Sequence, residues 1–230
     1  MKYIISSMKE IIITYILQYL IIIILCGVYI ILGHNNLTNF INIYCSIFLL
    51  IFYIITIIYL INKNKLKEDK FKYKNIYPLI SIGISTAIIL NMIIFKITNH
   101  LNTRTISLPL AVLSSGIIGP IYEEILFRYI FLNRLKKKYS TKKSILINTI
   151  IFSIIHINPI QILYTLILGL IINLSYSKYK NIIYPIILHI SANTIVLFLS
   201  GFNIYLLLIS LLLFFINIKH IEKISTCIFR

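Results

Sequence analysis

Residues 11–32 read IIITYILQYLIIIILCGVYIIL, twenty-two residues without a charge. At 1.5 Å per helical residue such a run crosses a hydrocarbon core of about 30 Å. Comparable stretches recur to the C-terminus, and eight spans are expected: 11–32, 40–61, 77–98, 107–133, 144–158, 160–177, 182–200 and 203–218. The runs are continuous rather than alternating, which argues against an outer-membrane barrel. Isoleucine favours strands in water, but in lipid only helices or closed barrels satisfy every backbone group. The expected fold is therefore all-α, a polytopic transmembrane bundle. Lys2 and Lys9 precede the first run as in a signal peptide. That run exceeds a signal h-region and no small-residue cleavage site follows, so it is read as the first span.

Composition agrees. Of 230 residues, 59% are hydrophobic and 12% charged, and the mean hydropathy is +0.95. Nothing is left over for a sizeable soluble domain. Wealth in Ile, Asn, Lys and Tyr points to an AT-rich genome. The net charge of +16, from 22 basic and 6 acidic residues, is not a nucleic-acid signature, because the basic residues sit in short loops between spans. With eight spans, 19 of them fall on one side: Lys2, Lys9, the loops 63–74 and 134–143, Lys178, Lys180, Lys219, Lys223 and Arg230. Arg104 and Lys96 fall on the other. The positive-inside rule then makes both termini cytoplasmic. The partners expected are a lipid bilayer and a peptide or membrane protein, and the location a bacterial plasma membrane. Cys26, Cys45 and Cys227 form no disulfide framework and read as small buried hydrophobes.

The ionisable residues that remain inside spans are few. Glu10, Glu68, Asp69 and Glu222 lie in or near loops, as do His34, His100 and His220. Inside are Glu123 and Glu124, then Arg128, then His156 and His189, with Asn193 one turn further on. Such groups are costly at bilayer depth and mark function. Counted from the cytoplasmic helix ends, Glu123 and Glu124 lie about 15 Å deep, His156 and Asn193 about 18 Å, and His189 about 12 Å. Three helices thus bring polar groups to one layer. Structural glue is one reading, through an i, i+4 ion pair and interhelical hydrogen bonds. A proton relay or ion path is another.

Glu123-Glu124-x-x-x-Arg128, Phe152-x-x-x-His156 and His189-x-x-x-Asn193 resemble the three motifs of the CAAX prenyl protease and bacteriocin-processing (CPBP, or Abi) intramembrane endopeptidases. The resemblance covers roughly 107–200, and residues 1–106 and 201–230 carry flanking helices without a recognised signature. It implies an eight-helix fold around a water-filled cavity, with peptide-bond hydrolysis within or at the face of the membrane.

The residue types suit that chemistry. Peptide hydrolysis needs an activated water, a proton for the leaving amine and donors for the oxyanion. Glu123 with His156 could hold and deprotonate water, and His189 and Asn193 could donate to the oxyanion. No cofactor is then needed. The alternative is a zinc site of Glu123, His156 and His189 with water as the fourth ligand. There is no His-Glu-x-x-His, and Ser114-Ser115-Gly116 is not a rhomboid-type nucleophile motif.

Adjacent residues on a helix point about 100° apart, so the two glutamates should divide labour. Glu124 and Arg128 are expected to pair and fix the helix, leaving Glu123 to face the cavity. Gly116, Gly119 and Pro120 either open the backbone towards the cavity or permit close packing. Phe127 and Phe152 read as packing residues. A rival function is a non-catalytic regulator or an ion-coupled carrier built on the same cluster.

Overall fold

A computed structural model of the chain describes residues 2–33, 36, 40–64, 68–98 and 107–229, without the side chains of 42 and 218–229. The described residues form nine helices. They are α1 (Lys2–Ser7), α2 (Lys9–Ile31), α3 (Ser46–Lys63, entered through a π turn over Ile41–Cys45), α4 (Ile76–Thr98) and α5 (Leu108–Lys136). The remaining four are α6 (Thr141–Ile154), α7 (Pro159–Tyr179), α8 (Ile183–Val196) and α9 (Ile204–Phe229). No strand occurs among the described residues. His34, His100, Lys65, Lys67, Arg104 and Arg230 lie outside them, as do the side chains of Lys219, His220, Glu222, Lys223 and Cys227.

The chain is a helical membrane bundle, and each of the eight expected stretches falls on a helix, α2 to α9. Five of these helices, α2, α3, α4, α5 and α7, are long and apolar enough to cross a bilayer. Helices α6 and α8 have 14 residues each, about 21 Å of helix against a core of about 30 Å. They are shorter than the expected 144–158 and 182–200 because both stop at the cavity described below. His156 consequently lies in the turn after α6 rather than inside a helix.

Helix α5 is the axis of the bundle. Over half of its apolar stretch is buried (56%), against 11% for α2, most of whose isoleucines beyond Ile11 face outward. Every residue from Ile125 to Leu132 is buried. Leu126, Phe127 and Phe131 pack there with Ile11, Leu60 and Phe152. A second cluster, built on Leu79, Ile82, Leu168, Ile172 and Leu188, joins α4, α7 and α8.

The loops expected to share one side do meet on one face. Arg134 donates to both carboxylate oxygens of Glu10, and Lys63 Nζ lies 3.7 Å from Glu10. Tyr3 Oη donates to Arg134 O at 2.7 Å. Asp69 N donates to Lys180 O at 3.0 Å, and Asn181 Nδ2 to Asp69 O at 2.8 Å. The N-terminal segment and the loops after α3, α5 and α7 therefore form a single basic face.

Candidate active site

The backbone of α5 is wound to present groups to its neighbours. Pro120 has no N–H, and its ring crowds the carbonyl four residues back. The helix answers with a π-wound turn over Val112–Ile118, the usual way an α-helix absorbs such a residue. The carbonyl released, Gly116 O, accepts from Thr194 Oγ1 at 3.3 Å, and Ser115 O accepts from Asn193 Nδ2 at 3.2 Å. A Cβ on Gly116 would stand 3.1 Å from Thr194 Oγ1. Of the two roles considered for this stretch, close packing is the one seen: both carbonyls are taken up by α8, and Gly116 lets that helix approach.

The next π-wound stretch, Ile125–Leu132, holds Arg128. Its Nη1 donates to Glu124 Oε1 at 3.0 Å, and both side chains are fully buried. Nε donates to Asn173 Oδ1 at 3.2 Å and Nη2 to Gly169 O at 3.3 Å. Its guanidinium carbon sits 4.2 Å from the Phe152 ring centroid. Asn173 is held in turn by donating to Thr149 Oγ1 at 2.9 Å, and Asn148 Nδ2 donates to Phe127 O at 2.8 Å. A buried guanidinium is tolerated only when its donors are matched in this way.

Glu124 does more than the sequence indicated. Its Oε1 also lies 2.7 Å from His189 Nδ1, so one carboxylate links Arg128 to the histidine of the third motif. His189 Nε2 then looks towards Glu123 Oε2 at 3.8 Å, beyond direct hydrogen bonding. His156 is fixed differently. Its Nδ1 is 2.9 Å from Phe152 O, and a carbonyl only accepts, so the proton is on Nδ1 and the Nε2 lone pair is free in the neutral ring. Phe152 is wholly buried and meets both rings edge-on, at 5.0 Å for His156 and 6.0 Å for His189. It is a packing residue, as read, and what it packs is the site.

His156 owes its position to a tight turn. Helix α6 ends at Ile154, Ile157 takes a left-handed φ of 62°, and Asn158 caps α7 by accepting from Ile160 N at 2.9 Å. A β-branched residue at positive φ is strained, and such strain gathers at functional sites.

Glu123, His156, His189 and Asn193 all line one cavity of about 330 Å³, together with Tyr53, Asn91, Ser115, Gln161 and Tyr164. Glu124 and Arg128 do not line it; they lie fully buried, with Glu124 bonded to the far side of His189. Among the described residues no three His, Cys, Asp or Glu side chains come close enough to hold a metal ion as they stand. Sequence reasoning missed Asn148, Thr149, Gly169 and Asn173. Each is a small or polar residue in an apolar helix, and that was the available signal.

Residues 105–195 match the Rce1-like family, described as Type II CAAX prenyl endopeptidase Rce1-like. A 94-residue stretch is 34% identical to a protein of Bacillus subtilis (strain 168) described as "Putative membrane peptidase YdiL", covering 41% of this chain and 38% of that protein. The chain thus aligns with well under half the length of that relative. No solved structure matches. With the three motifs in order on helices that close around one cavity, both matches agree with the resemblance of this segment to the CPBP intramembrane peptidases.

Proposed function

We propose that the chain is an intramembrane endopeptidase working through a glutamate-activated water. The observation that carries this reading is that Glu123, His156, His189 and Asn193, drawn from three separate stretches of the chain, line the same cavity. The Glu123 carboxylate and the free Nε2 of His156 would hold the water. As its oxygen attacks the peptide carbonyl, its proton passes to Glu123, which later returns it to the leaving amine as the C–N bond breaks. The oxyanion is met by the second N–H of Asn193, whose first is engaged by Ser115 O. His189 Nε2, on the side of the ring away from Glu124, faces the same space. Preorganised donors of this kind stabilise the tetrahedral intermediate.

The route as written needs no metal. The Ile-, Asn- and Lys-rich composition and the short loops favour a bacterial plasma membrane, where CAAX prenylation is not expected, and the one-sided loop charge favours both termini inside. Maturation of a peptide, such as a bacteriocin, or self-immunity is the setting we infer. The test is digestion of a peptide library by purified protein in nanodiscs. Cleavage that disappears in Glu123→Ala supports the reading, and an unchanged library with folded wild-type protein defeats it.

A further inference from the structure

The cavity and the basic face lie at opposite ends of the bundle. Its lining comes from the start of α3 (Ser46), the end of α4 (Ile94), the start of α5 (Ser115), the α6–α7 turn with its following helical turn (Asn158, Gln161) and the end of α8 (Val196). Every one of these is the helix end remote from Lys63, Arg134 and Lys180. No residue of the basic face contributes.

Passage from the basic face to Glu123 is closed by protein. Below the glutamates α5 is buried at all eight positions from Ile125 to Leu132. The Arg128–Phe152 stack fills the space beside it, and Gly169 is packed so tightly there that a Cβ would stand 2.9 Å from Phe152. Above them the lining is neutral and polar, with Asn91, Asn158 and Gln161, and Asn158 is exposed. Among the described residues Lys96 is the one basic side chain at that end, and it lies over Phe202, 5.5 Å from the ring centroid.

Because short loops rich in Lys and Arg stay in the cytoplasm, we infer that the cavity opens to the extracytoplasmic face. Its substrate is then a polypeptide presented from outside: an exported peptide, or a membrane segment cut near its outer end, and not a cytoplasmic C-terminus. The substrate class rests on the peptidase reading; the side of access does not.

Thiol labelling separates the two. Cells producing a variant with Cys26, Cys45 and Cys227 replaced by serine would carry one added cysteine, from Gln161→Cys or Ile160→Cys in the lining, or Lys137→Cys on the basic face. A membrane-impermeant maleimide should label the Gln161→Cys or Ile160→Cys protein on intact cells, and the Lys137→Cys protein only after permeabilisation. Labelling of both lining variants only after permeabilisation, or labelling of Lys137→Cys on intact cells, would overturn the inference. Adding Glu123→Gln should leave the pattern unchanged, so a failed peptidase assay does not affect it.

Discussion

One oxygen of Glu124 serves two partners: Arg128 Nη1 at 3.0 Å and His189 Nδ1 at 2.7 Å. A residue that the sequence assigns to helix stabilisation therefore also sets the direction of a histidine at the cavity wall. Oriented imidazoles of this kind depend on the group bonded to their far nitrogen.

Glu124→Gln is accordingly expected to be harmful twice over. It strips the counter-charge from a fully buried guanidinium, a loss of about 3–5 kcal/mol by analogy with broken buried pairs. It also releases His189. Thermal unfolding should show the stability loss, and the surviving folded fraction should have a lowered kcat. A variant with wild-type stability and activity would contradict the assignment.

Arg128→Lys tests the geometry rather than the charge. Lysine keeps the cation but loses the fork that reaches Glu124, Asn173 and Gly169 together, and the planar stack on Phe152. A loss of about 3 kcal/mol is expected, on the scale of hydrogen bonds to a charged group. Denaturant midpoints for the two proteins would measure it.

Glycines in similar helices should behave in opposite ways. A Cβ at Gly169 meets Phe152 Cδ1 at 2.9 Å, whereas one at Gly27 meets nothing within 4 Å. Gly169→Ala should destabilise by about 1–3 kcal/mol through overpacking, and Gly27→Ala should stabilise by up to about 1 kcal/mol through helix propensity. Parallel melting curves would decide.

On the basic face, Glu68 accepts from Ile182 N at 3.0 Å, and burial pushes its carboxyl above the usual carboxylate value. The folded protein therefore holds this proton more tightly than the unfolded chain. Its stabilising contribution is complete below the ordinary carboxyl pKa and is lost as pH rises through the folded value. Glu68→Gln should flatten the fall in melting temperature across that window; an unchanged slope would remove Glu68 as its cause.

Much of this arrangement was legible in the sequence. Apolar runs bounded by charged loops placed the helices within a few residues, except for the end of α9, which runs on to Phe229. The i, i+4 spacing of Glu124 and Arg128 gave their ion pair, since that relation depends on one helix alone. The contact between Glu124 and His189 was not legible, because it depends on how α8 docks on α5. That docking is set by Pro120 through carbonyls that a sequence does not display. Asn148 and Asn173 escaped notice for a related reason. A lone Asn in an apolar run looks alike whether it glues two helices or carries an arginine. His156 was placed in a helix because nothing in Phe152–Asn158 announces that α6 stops at Ile154.

The metal-free route makes a separate prediction. Protein washed with a strong chelator and found free of zinc by elemental analysis should keep its peptidase activity. Activity that vanishes on washing and returns with stoichiometric zinc would require Glu123, His156 and His189 to rearrange into ligands.

The most direct test of the central claim is the rate of peptide cleavage by Glu123→Gln beside wild type, in nanodiscs, with melting temperatures recorded for both. Glutamine keeps the size and most of the polarity of the side chain but does not take the proton of water. The account predicts an equally stable protein with kcat lowered by at least about 10²-fold, the scale of a lost general base. A stable Glu123→Gln protein that cleaves at the wild-type rate would contradict it.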